Sequence, residues 1–234
     1  MNISLCQISP KLSRKNIQAH MEYIDKAVAD NQEIVCFPEL SLNGYNLQDA
    51  VRENFFDDLK ELVNKSTDID IVLGCVLKDK SKYYNSALYL SHGKIVHIHN
   101  KNILPNYGMF EEQRFFDAGD EVQTFDTKFG LSMMLICEDV WDKSILAQVR
   151  NSDVKNLFIL SASPTRGFLS TGLEIEDKWD EIVKDISKNK RVIYINRVGF
   201  EDGLGFWGGS RIYEDTKLIK KLDLFEELYE NISL

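Results

Sequence analysis

Short apolar runs alternate along the chain with stretches of helical spacing. Met1 to Ile8 reads as a strand, and from Leu12 to Asn31 the side chains Ile17, Met21, Ile24 and Val28 recur with the period of a helix that buries one face. Glu33 to Phe37 is a second strand stopped by Pro38, followed by a polar loop with Asn43 and Gly44. Asn54 to Ser66 reads as a helix and Asp70 to Leu77 as a buried strand. Tyr83 to Ser91 and Lys94 to His99 read as a hairpin turning at His92 and Gly93. From Asn102 to Glu121 no period is evident, and Pro105, Gly108 and Gly119 mark a long ordered loop, the kind that usually carries function. Gly130 to Cys137 is again an apolar strand, running into a helix through Ile145 and Val149. Asn156 to Ala162 repeats the unit, with Pro164 and Gly167 in its loop, a helix from Glu174 to Lys188 and a strand from Arg191 to Asn196. A hairpin-like segment from Gly209 to Leu222 precedes an acidic, amphipathic tail.

Strands alternating with helices predict an α/β layer protein. No low-complexity linker, composition shift or fixed-period repeat divides the chain, so residues 1–234 are expected to form a single domain. In such sheets, ligands gather beyond the carboxyl ends of strands. Glu39, Lys101 and Cys137 each close an apolar strand at that end, which lets three groups distant in sequence converge in one cleft.

Acidic side chains outnumber basic ones to give a formal charge of −9, which argues against nucleic acid or an anionic membrane as the main partner. No apolar run reaches the length of a membrane helix, and the amino terminus lacks a secretory pattern, so a cytoplasmic protein is expected. The four cysteines are too scattered for a zinc site or a disulfide framework. Cys6, Cys36 and Cys75 lie inside apolar runs, as small buried hydrophobes do, and only Cys137 has charged neighbours.

Amide hydrolysis needs a nucleophile, a base that also protonates the leaving amine, and positive charge at the developing oxyanion. Cys137, Glu39 and Lys101 supply those roles in turn, with the Glu138 backbone N–H as a second oxyanion donor. A nearby ammonium and a helix amino terminus are expected to lower the Cys137 pKa. None of the four histidines has an evident nucleophile beside it; His97 and His99 flank Ile98 and read as a solvated or hydrogen-bonded face.

The segments FPELSLNGY around Glu39, KNILPNYGMFEEQRFFDAGD from Lys101 and LICEDVW around Cys137 resemble, in order and spacing, the three signature blocks of the nitrilase superfamily of carbon–nitrogen hydrolases. Together with SASP at Ser161 to Pro164 and YINRVGFEDGLGFWGGS, they look most like the glutaminase domain of glutamine-dependent NAD synthetases. The resemblance runs from the first strand, including Gln7, to about Tyr213. It implies an α-β-β-α sandwich with Glu39, Lys101 and Cys137 as catalytic triad and Glu112 as a second glutamate supporting the lysine. It also implies that Tyr107 and Glu138 line the substrate pocket, that Ser163 and Arg166 hold the substrate's amino-acid end, and that sandwiches pair as a homodimer or larger. No metal or cofactor is implied. The chain carries no SGGxDS-type pyrophosphate loop, and Gly208 to Ser210 is not one, so it is not expected to make NAD alone.

Each residue also has a plainer reading. A glutamate after a proline is usually a solvated loop charge, a lone lysine a surface one, and a lone cysteine part of the core. Glu111 competes with its neighbour Glu112, and Tyr107 reads equally as pocket wall or as packing, like Phe110, Phe115 and Phe116. Trp141, Trp179 and Trp207 read as packing, and Glu138 also suits a helix amino terminus. The leading expectation is a glutamine amidohydrolase, acting alone or supplying a separately encoded ammonia-dependent synthetase. An ω-amidase or aliphatic amidase is the second reading and a non-enzymatic binding subunit the third. Nitrile hydrolysis fits less well, because an acidic pair rather than tryptophan follows the nucleophile.

Overall fold

The computed structural model describes residues 1–52, 59–170 and 172–234. In chain order the elements are β1 (Asn2–Gln7), α1 (Lys15–Ala29), β2 (Ile34–Cys36), α2 (Leu47–Arg52), α3 (Leu59–Lys65), β3 (Asp70–Asp79), β4 (Lys82–Ser91) and β5 (Lys94–Asn100). The second half holds β6 (Thr124–Thr127), β7 (Gly130–Ile136), α4 (Lys143–Asn151), β8 (Asn156–Ser161), β9 (Phe168–Leu169), β10 (Gly172–Leu173), α5 (Glu174–Ile186) and β11 (Arg191–Asn196). It ends with β12 (Val198–Glu201), β13 (Leu204–Trp207), β14 (Arg211–Glu214), β15 (Lys217–Lys221) and β16 (Leu228–Ser233).

Two six-stranded sheets form, in the orders β16-β1-β2-β3-β4-β5 and β15-β14-β11-β8-β7-β6. Parallel strands occupy the centre of each, β1, β2 and β3 in one and β7, β8 and β11 in the other, with antiparallel strands outside. Strands buried on both faces read as continuous apolar runs, which is how the parallel ones appear in the sequence. One face of each sheet meets the other sheet: Ile3, Leu5, Ile34, Val72 and Tyr89 pack against Met134, Ile136, Phe158, Leu160 and Ile193. The opposite face of the first sheet is covered by Ile17, Ile24 and Ala27 of α1 with Leu59 and Leu62 of α3. That of the second is covered by Ile145, Leu146 and Val149 of α4 with Trp179, Val183 and Ile186 of α5. The result is a four-layer α-β-β-α sandwich.

Several expectations shift. The buried stripe of α1 is Ile17, His20, Ile24 and Ala27, while Val28 is exposed. Burial pushes the His20 pKa down to about 4, so the ring is neutral at pH 7, bridging the Asn16 carbonyl and the Ser41 hydroxyl in the loop after Glu39. Residues 54–58 of the expected Asn54 to Ser66 helix lie outside the described residues, and the rest is α3. The acidic tail is not a tail but β16, which pairs antiparallel with β1 across Asn2↔Ser233 to Gln7↔Leu228. Short α2 and β6 were not expected.

Candidate active site

The candidate residues Glu39, Lys101 and Cys137 each stand where a strand has just ended. After β2 the chain passes through Pro38 and Glu39 and turns at Leu40, whose φ of +51° is rare for a non-glycine residue. Gly74 on the neighbouring β3 makes room for this turn, because a Cβ there would stand 2.4 Å from the Leu40 nitrogen and 2.8 Å from the Glu39 Cα. Lys101 follows β5, with its N–H on the Asn85 carbonyl of β4 at 2.8 Å. Cys137 follows β7 at a φ of +41°, another strained backbone.

Lys101 is buried, and its Nζ donates to Glu39 Oε1 and Glu112 Oε1, both at 2.8 Å. Glu39 Oε1 also accepts the Asn85 side-chain amide at 2.7 Å, and its Oε2 accepts the Ala162 N–H at 2.6 Å from the end of β8. Glu112 Oε1 also accepts the Tyr45 hydroxyl at 2.7 Å. Glu111 instead faces solvent beside Arg114, so of the two glutamates it is Glu112 that meets the lysine. Two carboxylates sharing one ammonium in a buried site cannot both ionise freely. Burial accordingly pushes the Glu112 pKa up to about 7 against the opposing pull of Lys101, with the charge of Glu39 adding to the rise.

Cys137 is half-buried between two core clusters, and the Ser161 hydroxyl donates to its Sγ at 3.5 Å. The expected lowering of its pKa is not found. Burial holds the thiol well above its ordinary value, Glu39 adds to the rise, and Lys101 and Ser161 oppose it. The expected helix terminus is also elsewhere: Cys137–Trp141 is a 3-10 turn, and α4 begins only after Asp142, whose side chain accepts the Ser144 and Ile145 N–H groups. Cys137 therefore rests as a thiol.

Sequence reading missed the carboxylate that ties these strand ends together. Asp139 is buried; its Oδ1 accepts the Asn102 and Ile103 N–H groups at 2.9 Å each, and its Oδ2 accepts His99 Nε2 at 2.8 Å and the Ile136 N–H at 3.0 Å. One side chain thus fixes the chain on both sides of Lys101 to the turn that carries Cys137. Asp139→Asn replaces one of these acceptor oxygens with an NH2 that points at buried donors, and is expected to cost on the order of 3 kcal/mol. Urea unfolding midpoints check this; an unchanged midpoint would mean that the clamp contributes nothing.

A cavity of about 350 Å³ is lined by Glu138, the residue after Cys137, together with Tyr107, Trp141, Arg166, Glu174, Ile175 and Lys178. The Tyr107 hydroxyl donates to Glu138 Oε1 at 2.7 Å, and both residues line this cavity. Arg166 lies over the Phe110 ring, and among the described residues its buried Nε has no hydrogen-bond partner. Trp141, read as packing, also lines the cavity. Ser163 does not line this cavity. It is buried, and its hydroxyl oxygen accepts the Trp179 indole at 3.0 Å and the Trp207 indole at 3.3 Å. Trp179 and Trp207 are fully buried, as packing residues are.

Among the described residues, no group of three or more His, Cys, Asp or Glu side chains is placed to hold a metal ion. None of the described helices is long and apolar enough to cross a membrane.

The family model for carbon–nitrogen hydrolases matches residues 2–234. A glutamine-dependent NAD(+) synthetase of Acinetobacter baylyi is 33% identical over 243 residues, covering 97% of this chain and 43% of its own length. The solved glutamine-dependent NAD+ synthetase of Acinetobacter baumannii superposes with a TM-score of 0.85 at 27% identity, over 98% of this chain and 44% of that one. A carbon–nitrogen hydrolase from Helicobacter pylori G27 has the same fold, with a TM-score of 0.86 at 20% identity over 100% of this chain and 89% of its own. The chain thus spans less than half the length of the synthetases it matches.

Proposed function

The chain belongs to the carbon–nitrogen hydrolase family, an enzyme family of the hydrolase type, and on that premise we propose that it releases ammonia from glutamine through a thioester on Cys137. In this reading residues 1–234 act as one catalytic domain. Glu39 takes the thiol proton as Sγ attacks the amide carbon. The Lys101 ammonium and the Glu138 backbone N–H stabilise the oxyanion, and Glu39 passes its proton to the departing nitrogen. The C–N bond breaks, ammonia leaves and the acyl group stays on sulfur. Glu39 then takes a proton from water, which attacks the thioester to release glutamate and restore the thiol. Glu112 keeps Lys101 in place throughout.

The observation that carries this reading is the buried ammonium of Lys101 held between Glu39 and Glu112 at 2.8 Å each, one strand end from a half-buried cysteine. Glutamine is favoured over an aliphatic amide by the charges of the cavity. Arg166 and Lys178 suit an α-carboxylate and Glu138 and Glu174 an α-ammonium, which an uncharged amide leaves unused. The relatives that are NAD synthetases by name are more than twice as long, which supports an ammonia-using acceptor outside these residues.

Glutamine is expected to give glutamate and ammonia in equal amounts, with a mass increase on Cys137 in quenched samples. A panel of amides decides the substrate: faster release from uncharged aliphatic amides would overturn the glutamine assignment in favour of an aliphatic amidase. Arg166→Ala is expected to raise KM for glutamine about tenfold while sparing kcat, the pattern of lost ground-state binding. Equal KM values would remove Arg166 from the pocket.

A further inference from the structure

Arg197 is fully buried in the stretch between β11 and β12, an unusual place for a guanidinium. One terminal nitrogen donates to the Pro10 carbonyl at 2.5 Å, another pairs with Glu201 Oε2 at 2.9 Å, and the group lies 4.2 Å above the Phe206 ring. The mechanism above uses neither residue, and neither lines the cavity at Glu138.

Glu201 does more than neutralise this charge. Its Oε1 accepts the Leu12 N–H at 2.8 Å and its Oε2 the Tyr45 N–H at 2.6 Å, so one carboxylate holds the loop before α1 and the loop after Glu39. Gly44 permits the approach: its φ is +76°, and a Cβ there would stand 2.7 Å from Glu201 Oε1. Tyr45 is buried with its ring edge on Phe206 at 5.4 Å, and its hydroxyl ends on Glu112. The same β12–β13 hairpin reaches the residue before Arg166, where the Thr165 N–H donates to the Gly205 carbonyl at 2.7 Å.

We propose that the buried Arg197–Glu201 ion pair is a positioning device for the reaction: it fixes the Tyr45 backbone so that the Tyr45 hydroxyl stays on Glu112, and through Glu112 it holds Lys101. The proposal rests on the roles given above to Glu39, Lys101 and Cys137. Its chemistry is a chain of three links. A buried carboxylate anchored by a buried cation cannot drift without leaving both charges unpaired. The backbone it grips carries the phenol, and the phenol donates to the charged form of Glu112 and favours it. Burial and three groups set the charge of Glu112: Lys101 beyond β5, Glu39 beyond β2 and the Tyr45 hydroxyl, with Cys137 acting on Lys101 and Arg197 standing behind Tyr45. Loosening the Tyr45 contact therefore favours protonated Glu112.

The test compares Tyr45→Phe, Glu201→Gln and the double variant in the full chain. Ammonia release from glutamine is followed across pH, and the Glu112 carboxyl is titrated by carbon NMR of protein labelled at glutamate side chains, its signal assigned by its loss in Glu112→Gln. Each single variant is expected to lower kcat about tenfold with KM changed less than about twofold, and to move the Glu112 midpoint upward by at least about half a pH unit. The double variant is expected to be no worse than the poorer single one, because both act through the same hydroxyl. Independent, multiplying losses, or a Glu112 midpoint that Glu201→Gln leaves in place, would overturn the proposal. Should Glu201→Gln fail to fold, Glu201→Asp keeps the charge beside Arg197 while withdrawing it from the Tyr45 N–H, and the same upward midpoint is required of it. If the parent protein releases no ammonia from any amide, the functional reading falls, and the NMR midpoints still decide whether Glu201 governs Glu112.

Discussion

Cys137→Ala is expected to reduce ammonia release by a factor on the order of 10⁴ or more while leaving the protein folded, because covalent catalysis has no other route once the sulfur is gone. Cys137 sits at the edge of the two clusters it touches, so losing one sulfur costs little packing. The thiol adds a sharper expectation. Burial and the charge of Glu39 hold its pKa above the ordinary 9.0, with Lys101 and Ser161 opposing, so the free protein holds a neutral thiol at pH 7, and the proposed mechanism calls on Glu39 as base during attack. Alkylation of the free enzyme by iodoacetamide is therefore expected to rise only above pH 9. Glu39→Gln removes a charge that raises the thiol pKa, so the alkylation midpoint should move down while turnover falls by about 10³. Alkylation of the parent protein with a midpoint below 9, or turnover that survives in Glu39→Gln, would end the role given to Glu39.

The central strands were legible because they are buried on both faces and read as unbroken apolar runs. Division into two sheets was not legible from periodicity, since β1 to β5 and β7 to β11 show similar patterns, and only the family resemblance implied a sandwich. α2 buries just Leu47 and Ala50, too few for a helical period to show, and β6 buries Phe125 alone between exposed or half-exposed residues. β16 looked like a tail because its half-buried and exposed residues include Glu230 and Asn231, but it is an edge strand, and its partner β1 lies at the far end of the sequence.

At the candidate site, Glu39, Lys101 and Cys137 could be singled out from position, since each follows an apolar run. Their helpers carry no such mark. Asn85 sits within a strand, Tyr45 closes a polar loop, and Asp139 read only as half of an acidic pair, although each is buried and aimed at a group distant in sequence. Arg197 and Glu201 read as ordinary charges, which are seldom fully buried unless paired, and here the partner is four residues away across the start of a hairpin. The thiol pKa was misjudged for a related reason. A sequence shows which charges are near in order but not how much water is excluded, and burial is the largest cause of the shift.

Lys101→Met should damage stability and activity together, and its pH dependence tells the two apart. The substitution keeps an unbranched side chain but leaves Glu39 and Glu112, each 2.8 Å from the lost nitrogen, buried without their shared cation. Breaking a buried pair from one side costs about 3–5 kcal/mol when the remaining charge persists. The site avoids much of that cost by taking up protons. Glu112 already stands at about 7 against an ordinary 4.5 with Lys101 opposing the rise, so without the lysine its folded pKa climbs further. A carboxyl whose folded pKa exceeds its unfolded value contributes stability that is fully present below pH 4.5 and is lost as pH rises through the folded value. Lys101→Met should consequently lie closest to the parent protein in acid and fall furthest behind above pH 7. Glu112→Gln added to it should recover part of that alkaline deficit, since one buried charge is then absent. Turnover should not recover, because the oxyanion has lost its cation, a loss of about 10³ in kcat. Denaturation of both variants from pH 5 to 9 checks the first claim and ammonia release the second. A stability deficit that stays constant with pH would show that the lysine does not hold the two carboxylates in their charged forms.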